Sequence, residues 1–462
     1  MKSFSVISPV NGEVYVERPY ASNEQIANAL EKANGITSTW RNTSIVERAE
    51  LVNRAVDQLI ARKDIISNEL TWQMGRPISF GPGEIAGFEE RARHMASIAE
   101  QALQPVTPES KPGFERFIRR EPLGQVFVIA PWNFPFLTAV NAVVPALLSG
   151  NTVLIKHSAQ TPLCAERFVE AFTQAGLPEG VFQYLHLDHT ATEQLIKAPE
   201  TAFVAFTGSV PGGEMVERAV AGLFKGVGLE LGGKDPAYVR NDADLKQAID
   251  TVVDGAFFNS GQSCCGIERV YVHQSIFDDF VGGAIELVNQ YKLGPPQEPQ
   301  TNLGPMVRSQ AADFVRGQID EAITQGAVAH IDADKFAYNR NGTAYLAPQL
   351  LTNVNHDMRV MTEESFGPVV GIQAVKNDAE AIALMNDSDF GLTAAVFTQD
   401  QDAALSIGSE VNTGTWFMNR CDYLDPALAW TGVKNSGRGC TLSSVGFEQL
   451  TRPKSFHLKL PQ

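Results

Sequence analysis

A chain of 462 residues is longer than one hydrophobic core usually supports, so it divides into two or more structural units and is not a small binding module. Its 44% hydrophobic and 19% charged residues are the balance of a folded protein, which excludes a disordered or fibrous chain. A formal net charge of −16 excludes nucleic acid as a partner, because that binding rests on Lys and Arg at phosphates.

Residues 1–15 hold one lysine and no apolar stretch ahead of a small-residue cleavage site, so they do not read as a secretory signal. Residues 22–33 and 46–74 have helical spacing, with Ser22 and Ser44 as candidate caps. Residues 114–120 alternate apolar and charged side chains, and the turn at 121–124 leads into another apolar run, which predicts a hairpin arm outside the core. The most apolar region, 126–148, is broken by Pro131, Asn133, Pro135, Asn141 and Pro145 and does not read as a membrane span.

Apolar strands are predicted at 126–130, 152–155, 182–185, 202–206 and 226–231, with helix-like segments between most of them: an open, doubly wound α/β sheet. Ligands of such sheets bind at the carboxyl ends of the strands. Here those ends carry Pro131-Trp132-Asn133, Lys156-His157-Ser158, Thr207-Gly208-Ser209 and Gly232-Gly233. A second α/β region runs from 234 to about 430, with helices at 243–258, 276–293 and 309–325 and strands at 269–272 and 369–375. From 453 the tail alternates polar and apolar residues, as a terminal strand that pairs with another segment does. No internal repeat is visible. The five cysteines, Cys164, Cys264, Cys265, Cys421 and Cys440, are odd in number and form no framework, which fits free thiols in a reducing, cytoplasmic compartment.

Three residues carry candidate chemistry. Cys264 lies beyond a helix and a small-residue turn, Asn259-Ser260-Gly261-Gln262-Ser263, where a thiol faces a cleft; as a nucleophile it needs an electropositive setting to form thiolate, and otherwise the Cys264-Cys265 pair is inert. Glu230 sits in an apolar, glycine-flanked strand, where desolvation raises a carboxyl pKa as a proton-transferring base requires; a strand glutamate facing solvent or a lysine fits the same pattern. Asn133, between Pro131 and Pro135, is either an oxyanion donor or a turn asparagine.

The segments Trp132-Asn133-Phe134-Pro135, Phe206-Thr207-Gly208-Ser209, Leu229-Glu230-Leu231-Gly232-Gly233-Lys234, Gly261-Gln262-Ser263-Cys264 and Glu364-Ser365-Phe366-Gly367-Pro368 follow one another in an order and spacing that resembles the aldehyde dehydrogenase superfamily across nearly the whole chain. The resemblance implies a Rossmann-type cofactor domain (1–103 and 123–233), an α/β catalytic domain (234–430) and a small β oligomerisation arm (104–122 and 431–462). It implies oxidation of a small-molecule aldehyde to a carboxylic acid with NAD or NADP, through a cysteine thiohemiacetal and thioester. Cys264 then resembles the nucleophile, Glu230 the base that activates water, and Asn133 the oxyanion donor together with the Cys264 backbone N–H. Lys156 and Ser158 are similar to residues at the adenosine ribose, Gly208 and Ser209 to the pyrophosphate turn, Glu364 to the nicotinamide-ribose carboxylate with Phe366 as its packing partner. Trp132 and Leu231 line the same cleft. A homodimer or homotetramer is expected.

Several positions depart from that pattern. Ala159 stands where NAD-selective members place a glutamate that repels a 2′-phosphate, so NADP is expected to be tolerated. His157 replaces a proline and reads as a surface histidine, with attraction of a 2′-phosphate when protonated as the alternative. Leu187-Asp188-His189 stands in place of a glycine turn near the adenine, and Thr138 and Asn141 give the aldehyde tunnel some polarity. His186 and His189 have no supporting cluster and read as non-ligands; the chemistry needs no metal. The rival readings are a phosphate-binding NTPase, which fails because Asp235 takes the Ser/Thr position of that motif, a CoA-acylating or semialdehyde dehydrogenase of the same fold, and a non-catalytic structural relative.

Overall fold

The run Gln125–Ala130, rich in β-branched and aromatic side chains and buried on both faces, lies inside a six-stranded sheet in the computed structural model, which describes residues 2–461. Across the sheet the order is Gly437–Arg438, Gly226–Glu230, Thr201–Thr207, Gln125–Ala130, Thr152–His157, Phe182–Tyr184, parallel throughout except for the first pair. The chain steps outward from Gln125–Ala130 through two strands on one side, then returns to lay Thr201–Thr207 and Gly226–Glu230 on the other. Strand order therefore reverses between Gln125–Ala130 and Thr201–Thr207, the place where doubly wound sheets open a ligand crevice. Val126, Val128 and Ala130 pack into the core formed by the helices Ile45–Ile60, Gly81–Ala102 and Pro135–Leu148, whereas Phe127 and Ile129 pack on the opposite face with Leu195 and Val216.

Four residues after Gly226–Glu230 the chain enters a second sheet. Its order is Val328–Ala329, Gln349–Thr352, Val369–Val375, Ile267–His273, Asp235–Val239, Thr393–Phe397, Thr415–Met418, parallel except at the Val328–Ala329 edge. Ala237 and Val239 face one core and Tyr238 the other, so this sheet too is covered on both faces. The short link Leu231-Gly232-Gly233-Lys234 thus joins the two sheets, with Glu230 at its head.

The segment expected to be a hairpin arm is a strand, Phe114–Pro122, but it does not fold back on the run that follows it. Both edges of Gln125–Ala130 are taken by sheet neighbours, and Phe114–Pro122 instead pairs antiparallel with the terminal strand Thr451–Lys459, Phe117 stacking on Phe456 with ring centroids 4.6 Å apart. The helical spacing over 46–74 resolves into two helices, Ile45–Ile60 and Lys63–Met74; Arg62 leaves helical geometry between them and its guanidinium pairs with Glu170 at 2.5 Å. Ser22 and Ser44 both cap their helices, the first in a reciprocal box with Gln25. No helix among the described residues is long and apolar enough to cross a membrane.

Candidate active site

The helix Leu245–Phe257 ends at a tight reversal in which Asn259 and Ser260 both take left-handed backbone (φ 53° and 57°), a costly geometry for non-glycine residues that bonded side chains must hold in place. Asn259 Nδ2 donates to the carbonyls of Asn133 (3.4 Å) and Gln262 (3.2 Å), and Ser260 Oγ donates to that of Gly304 (2.8 Å). The reversal delivers Cys264 to a half-buried position beside the inter-sheet link. The approach is so close that a Cβ on Gly233 would sit 2.3 Å from the Cys264 carbonyl oxygen, so only glycine fits there. The Cys264 thiol pKa is pushed well up, first by the Cys265 thiol and then by burial, so in the bare chain it is a thiol and not a thiolate.

Glu230 closes its strand, and its carboxylate accepts from Thr441 Oγ1 (2.6 Å) and Thr207 Oγ1 (3.3 Å). Burial raises its pKa against those bonds and the field of Arg91. Asn133 Nδ2 donates to the Gln262 carbonyl through a long 3.3 Å bond, a weak commitment that leaves the amide available to another acceptor. Its backbone is fixed from behind: the buried Arg76 donates to the Asn133 carbonyl and to Glu84, and Glu84 Oε1 accepts from the Phe136 and Leu137 N–H groups at 2.8 and 3.0 Å, capping the helix Pro135–Leu148. Glu84→Gln should lower stability to urea by about 3–5 kcal/mol, since it strands the Arg76 charge in the interior. An unfolding midpoint equal to that of the native chain would show the ion pair to be dispensable.

Two cavities share Cys264 and Glu230. One, of about 360 Å³, opens at the strand reversal and is lined by Trp132, Asn133, Gly208, Ser209, Leu231, Glu364 and Phe366, with Arg308, Gln310 and Phe314 from the rim of the helix Ser309–Thr324. The other, of about 510 Å³, lies between the helices Gly81–Ala102 and Pro135–Leu148 and the loop 422–430; Arg91, Thr138 and Asn141 line it with Phe134, Phe258 and Trp430. In the first, Glu364 accepts from the Gly233 N–H (3.0 Å), and its pKa is pushed up to about 7 by burial and the neighbouring Glu268. The Glu364–Phe366 loop is held by the buried Lys234–Glu268 pair (2.6 Å), with Glu268 accepting from the Ser365 and Phe366 N–H groups. Lys234 is thereby committed to a carboxylate and unavailable to a phosphate.

A dinucleotide fits the first cavity. Ser209 caps the eleven-residue helix Val210–Val220, whose free N–H groups favour a pyrophosphate. Gly232 leaves the floor bare, since a Cβ there would meet Glu364 at 2.3 Å, and Trp132 and Phe366 stand edge-on, ring centroids 5.6 Å apart. Lys156 and Ser158 are not among the lining residues; they end the next strand over, beside exposed Ala159. His157 corrects the expectation of a surface histidine. It is buried, its Nε2 meets the Pro135 carbonyl at 3.0 Å, and burial with the Lys156 charge lowers its pKa to about 3, so it stays neutral and attracts no phosphate. His186 contacts Glu166 (3.0 Å), Asp188 caps the helix His189–Lys197, and no metal-binding group of three or more ligands occurs among the described residues.

The family model described as "Aldehyde dehydrogenase family" matches residues 1–456. The chain belongs to that family. The enzyme is 34% identical over 445 residues to the NAD(P)+ succinate semialdehyde dehydrogenase Sad of Escherichia coli (strain K12), covering 96% of this chain and 95% of the relative. Among solved structures it resembles an NADP-dependent glyceraldehyde-3-phosphate dehydrogenase from Bacillus halodurans C-125 complexed with NADP (TM-score 0.93, 34% identity, 100% and 96% of the two chains). It also resembles succinic semialdehyde dehydrogenase from Streptococcus pyogenes with NADP+ (TM-score 0.94, 27% identity, 99% and 100%). It is an NAD(P)-dependent aldehyde dehydrogenase. Sequence reasoning missed the contribution of the helix Gly81–Ala102, whose signal was small: Gly83, Gly87 and Arg91 recur four residues apart on one face, and all three line the second cavity.

Proposed function

We propose that Cys264 attacks the aldehyde carbon, with the oxyanion received by Asn133 Nδ2 and the Cys264 backbone N–H. The observation that carries this reading is that Cys264 and Glu230 belong to both cavities, so a substrate in one and a cofactor in the other meet at these two side chains. A bound nicotinamide supplies hydride acceptance and a positive charge beside the thiol. Glu364 and Phe366 position its ribose end, Trp132 and Leu231 line it, Gly208 and Ser209 take the pyrophosphate, and Lys156 and Ser158 reach the adenosine ribose from the neighbouring strand. Glu230 as carboxylate takes a proton from the water that hydrolyses the resulting thioester. The proposed division is 1–103 with 123–233, 234–430, and 104–122 with 431–462; the two sheets and the pairing of Phe114–Pro122 with Thr451–Lys459 support it, while Gly437–Arg438 of the last segment lies at the edge of the first sheet. The arm's exposed two-stranded ladder is too small to be stable alone and suits a homodimer or homotetramer in the cytoplasm, which light scattering in solution tests.

The semialdehyde relatives favour a substrate with a second polar end, and acyl transfer to CoA is the alternative fate of the thioester. The experiment is a panel of aldehydes assayed for reduced nicotinamide and free acid, with NAD and NADP in parallel and with and without CoA. Free acid in equal amount to reduced cofactor, independent of CoA, is the expected result, with NADP accepted because exposed Ala159 offers no carboxylate against a 2′-phosphate. Acyl-CoA as the main product would replace hydrolysis by transfer.

A further inference from the structure

The second cavity contains a buried cation with no counter-ion. Arg91 is 8% exposed; its Nη1 donates to the Leu137 carbonyl (2.5 Å) and to Asn141 Oδ1 (3.3 Å), and it forms no ion pair among the described residues. A guanidinium has five N–H donors, and here Nε and Nη2 find no acceptor among the described residues. The carboxylates whose fields reach it are committed elsewhere: Glu84 to Arg76 and two backbone N–H groups, Glu230 to two threonine hydroxyls. Beside it Asn141, 1% exposed, spends its oxygen on Arg91 and leaves Nδ2 without a partner. Buried unpaired charge and buried unpaired donors are costly in a folded chain and mark a site completed by something else.

We propose that Arg91 and Asn141 form a carboxylate-binding subsite, so that the preferred substrate is an aldehyde carrying a terminal carboxylate, its hydrocarbon chain lying along the apolar wall between that subsite and Cys264. This deepens the reading of Cys264 as the nucleophile and rests on it. A carboxylate supplies one negative charge and two acceptor oxygens, matching the free edge of the guanidinium. Three acidic residues line the same cavity, and none is ion-paired with Arg91: Glu230 accepts from the two threonine hydroxyls, Glu90 is exposed and accepts from the Tyr423 hydroxyl (2.6 Å), and the Asp422 pKa is held up to about 6 by burial and Asp254.

The test compares kcat/KM for aldehydes of equal length ending in a carboxylate, a methyl, an ammonium or a phosphate. The native enzyme should favour the carboxylated aldehyde over the methyl-ended one by about 100-fold, as expected where buried polar groups are left unpaired by the wrong ligand. Arg91→Met should bring that ratio near one, and Arg91→Lys should restore part of it. A preference for the ammonium or the phosphate, or equal losses on both substrates in Arg91→Met, would overturn the proposal. Inhibition of the methyl-ended aldehyde reaction by a short carboxylate and by its amide gives the same answer without a substitution: about tenfold tighter inhibition by the carboxylate is expected, and equal inhibition overturns it. A native enzyme that oxidises aldehydes without regard to their far end defeats this subsite alone, whereas one that oxidises none defeats the nucleophile as well.

Discussion

Cys264→Ala abolishes aldehyde-dependent formation of reduced nicotinamide, a loss on the order of 10⁴-fold or more, because no neighbouring group replaces a missing nucleophile. Cofactor binding survives, since the cofactor cleft is built chiefly from strand ends and the Glu364–Phe366 loop; quenching of tryptophan fluorescence, with Trp132 in the cleft, reports it. Cys265 supplies the control. It is buried behind Cys264, and its thiol is the largest influence raising the Cys264 pKa. Removing that influence lowers the Cys264 pKa, so in Cys265→Ala alkylation of Cys264 by iodoacetamide sets in at lower pH than in the native enzyme. Undiminished turnover in Cys264→Ala would remove the nucleophile from the mechanism, and an unshifted alkylation profile would remove Cys265 from its environment.

The centre of the cofactor sheet is legible in the sequence because Gln125–Ala130 and Thr152–His157 are apolar runs rich in β-branched residues and buried on both faces, a pattern that needs no knowledge of neighbours. The strand Asp235–Val239 is not, for a physical reason. Pro236 lies in the middle of the second sheet, where a missing N–H argues against a strand, and the structure accommodates it with a register shift between Ile267 and Arg269 on the paired strand. Cys264, Glu230 and Asn133 can be picked out as candidates because each breaks its local pattern. Their convergence depends on the reversal at Asn259 and Ser260 and on the bare backbone of Gly233, neither of which announces its tertiary partner. Arg91 is the clearest case of information absent from the local sequence: on a helix of mixed composition it reads as a solvated charge, and only the packing of Pro135–Leu148 against that helix makes it an interior cation. His157 is similar, a polar residue at a strand end whose burial is decided by the helix above it.

Glu230→Gln separates the two halves of the reaction. The first half needs Cys264, the oxyanion donors and the cofactor, so the variant should release a burst of reduced nicotinamide equal to one equivalent of active sites. The second half needs a carboxylate to take a proton from water, so steady-state turnover should then fall by about 10²–10⁴-fold, the usual contribution of a positioned base. The stalled enzyme carries an acyl group on Cys264, which mass spectrometry detects and hydroxylamine removes. The pH dependence follows from the same residue. Burial raises the Glu230 pKa while Thr441, Arg91 and Thr207 oppose the rise, so the net shift is upward and the base is lost by protonation at a higher pH than for an exposed glutamate. Native deacylation therefore slows as pH falls through that raised value, whereas Glu230→Gln, with nothing to protonate, lacks this acid limb. The hydroxyls of Thr441 and Thr207 hold the carboxylate at the mouth shared by both cavities, and Thr441 belongs to the loop that also supplies the antiparallel strand Gly437–Arg438 beside Glu230. A base held from two elements keeps one orientation through both halves of the cycle, which is what hydrolysis after hydride transfer requires. Full steady-state turnover in Glu230→Gln, with the acid limb intact, would assign the proton transfer to another group and leave Glu230 as a strand-end anchor.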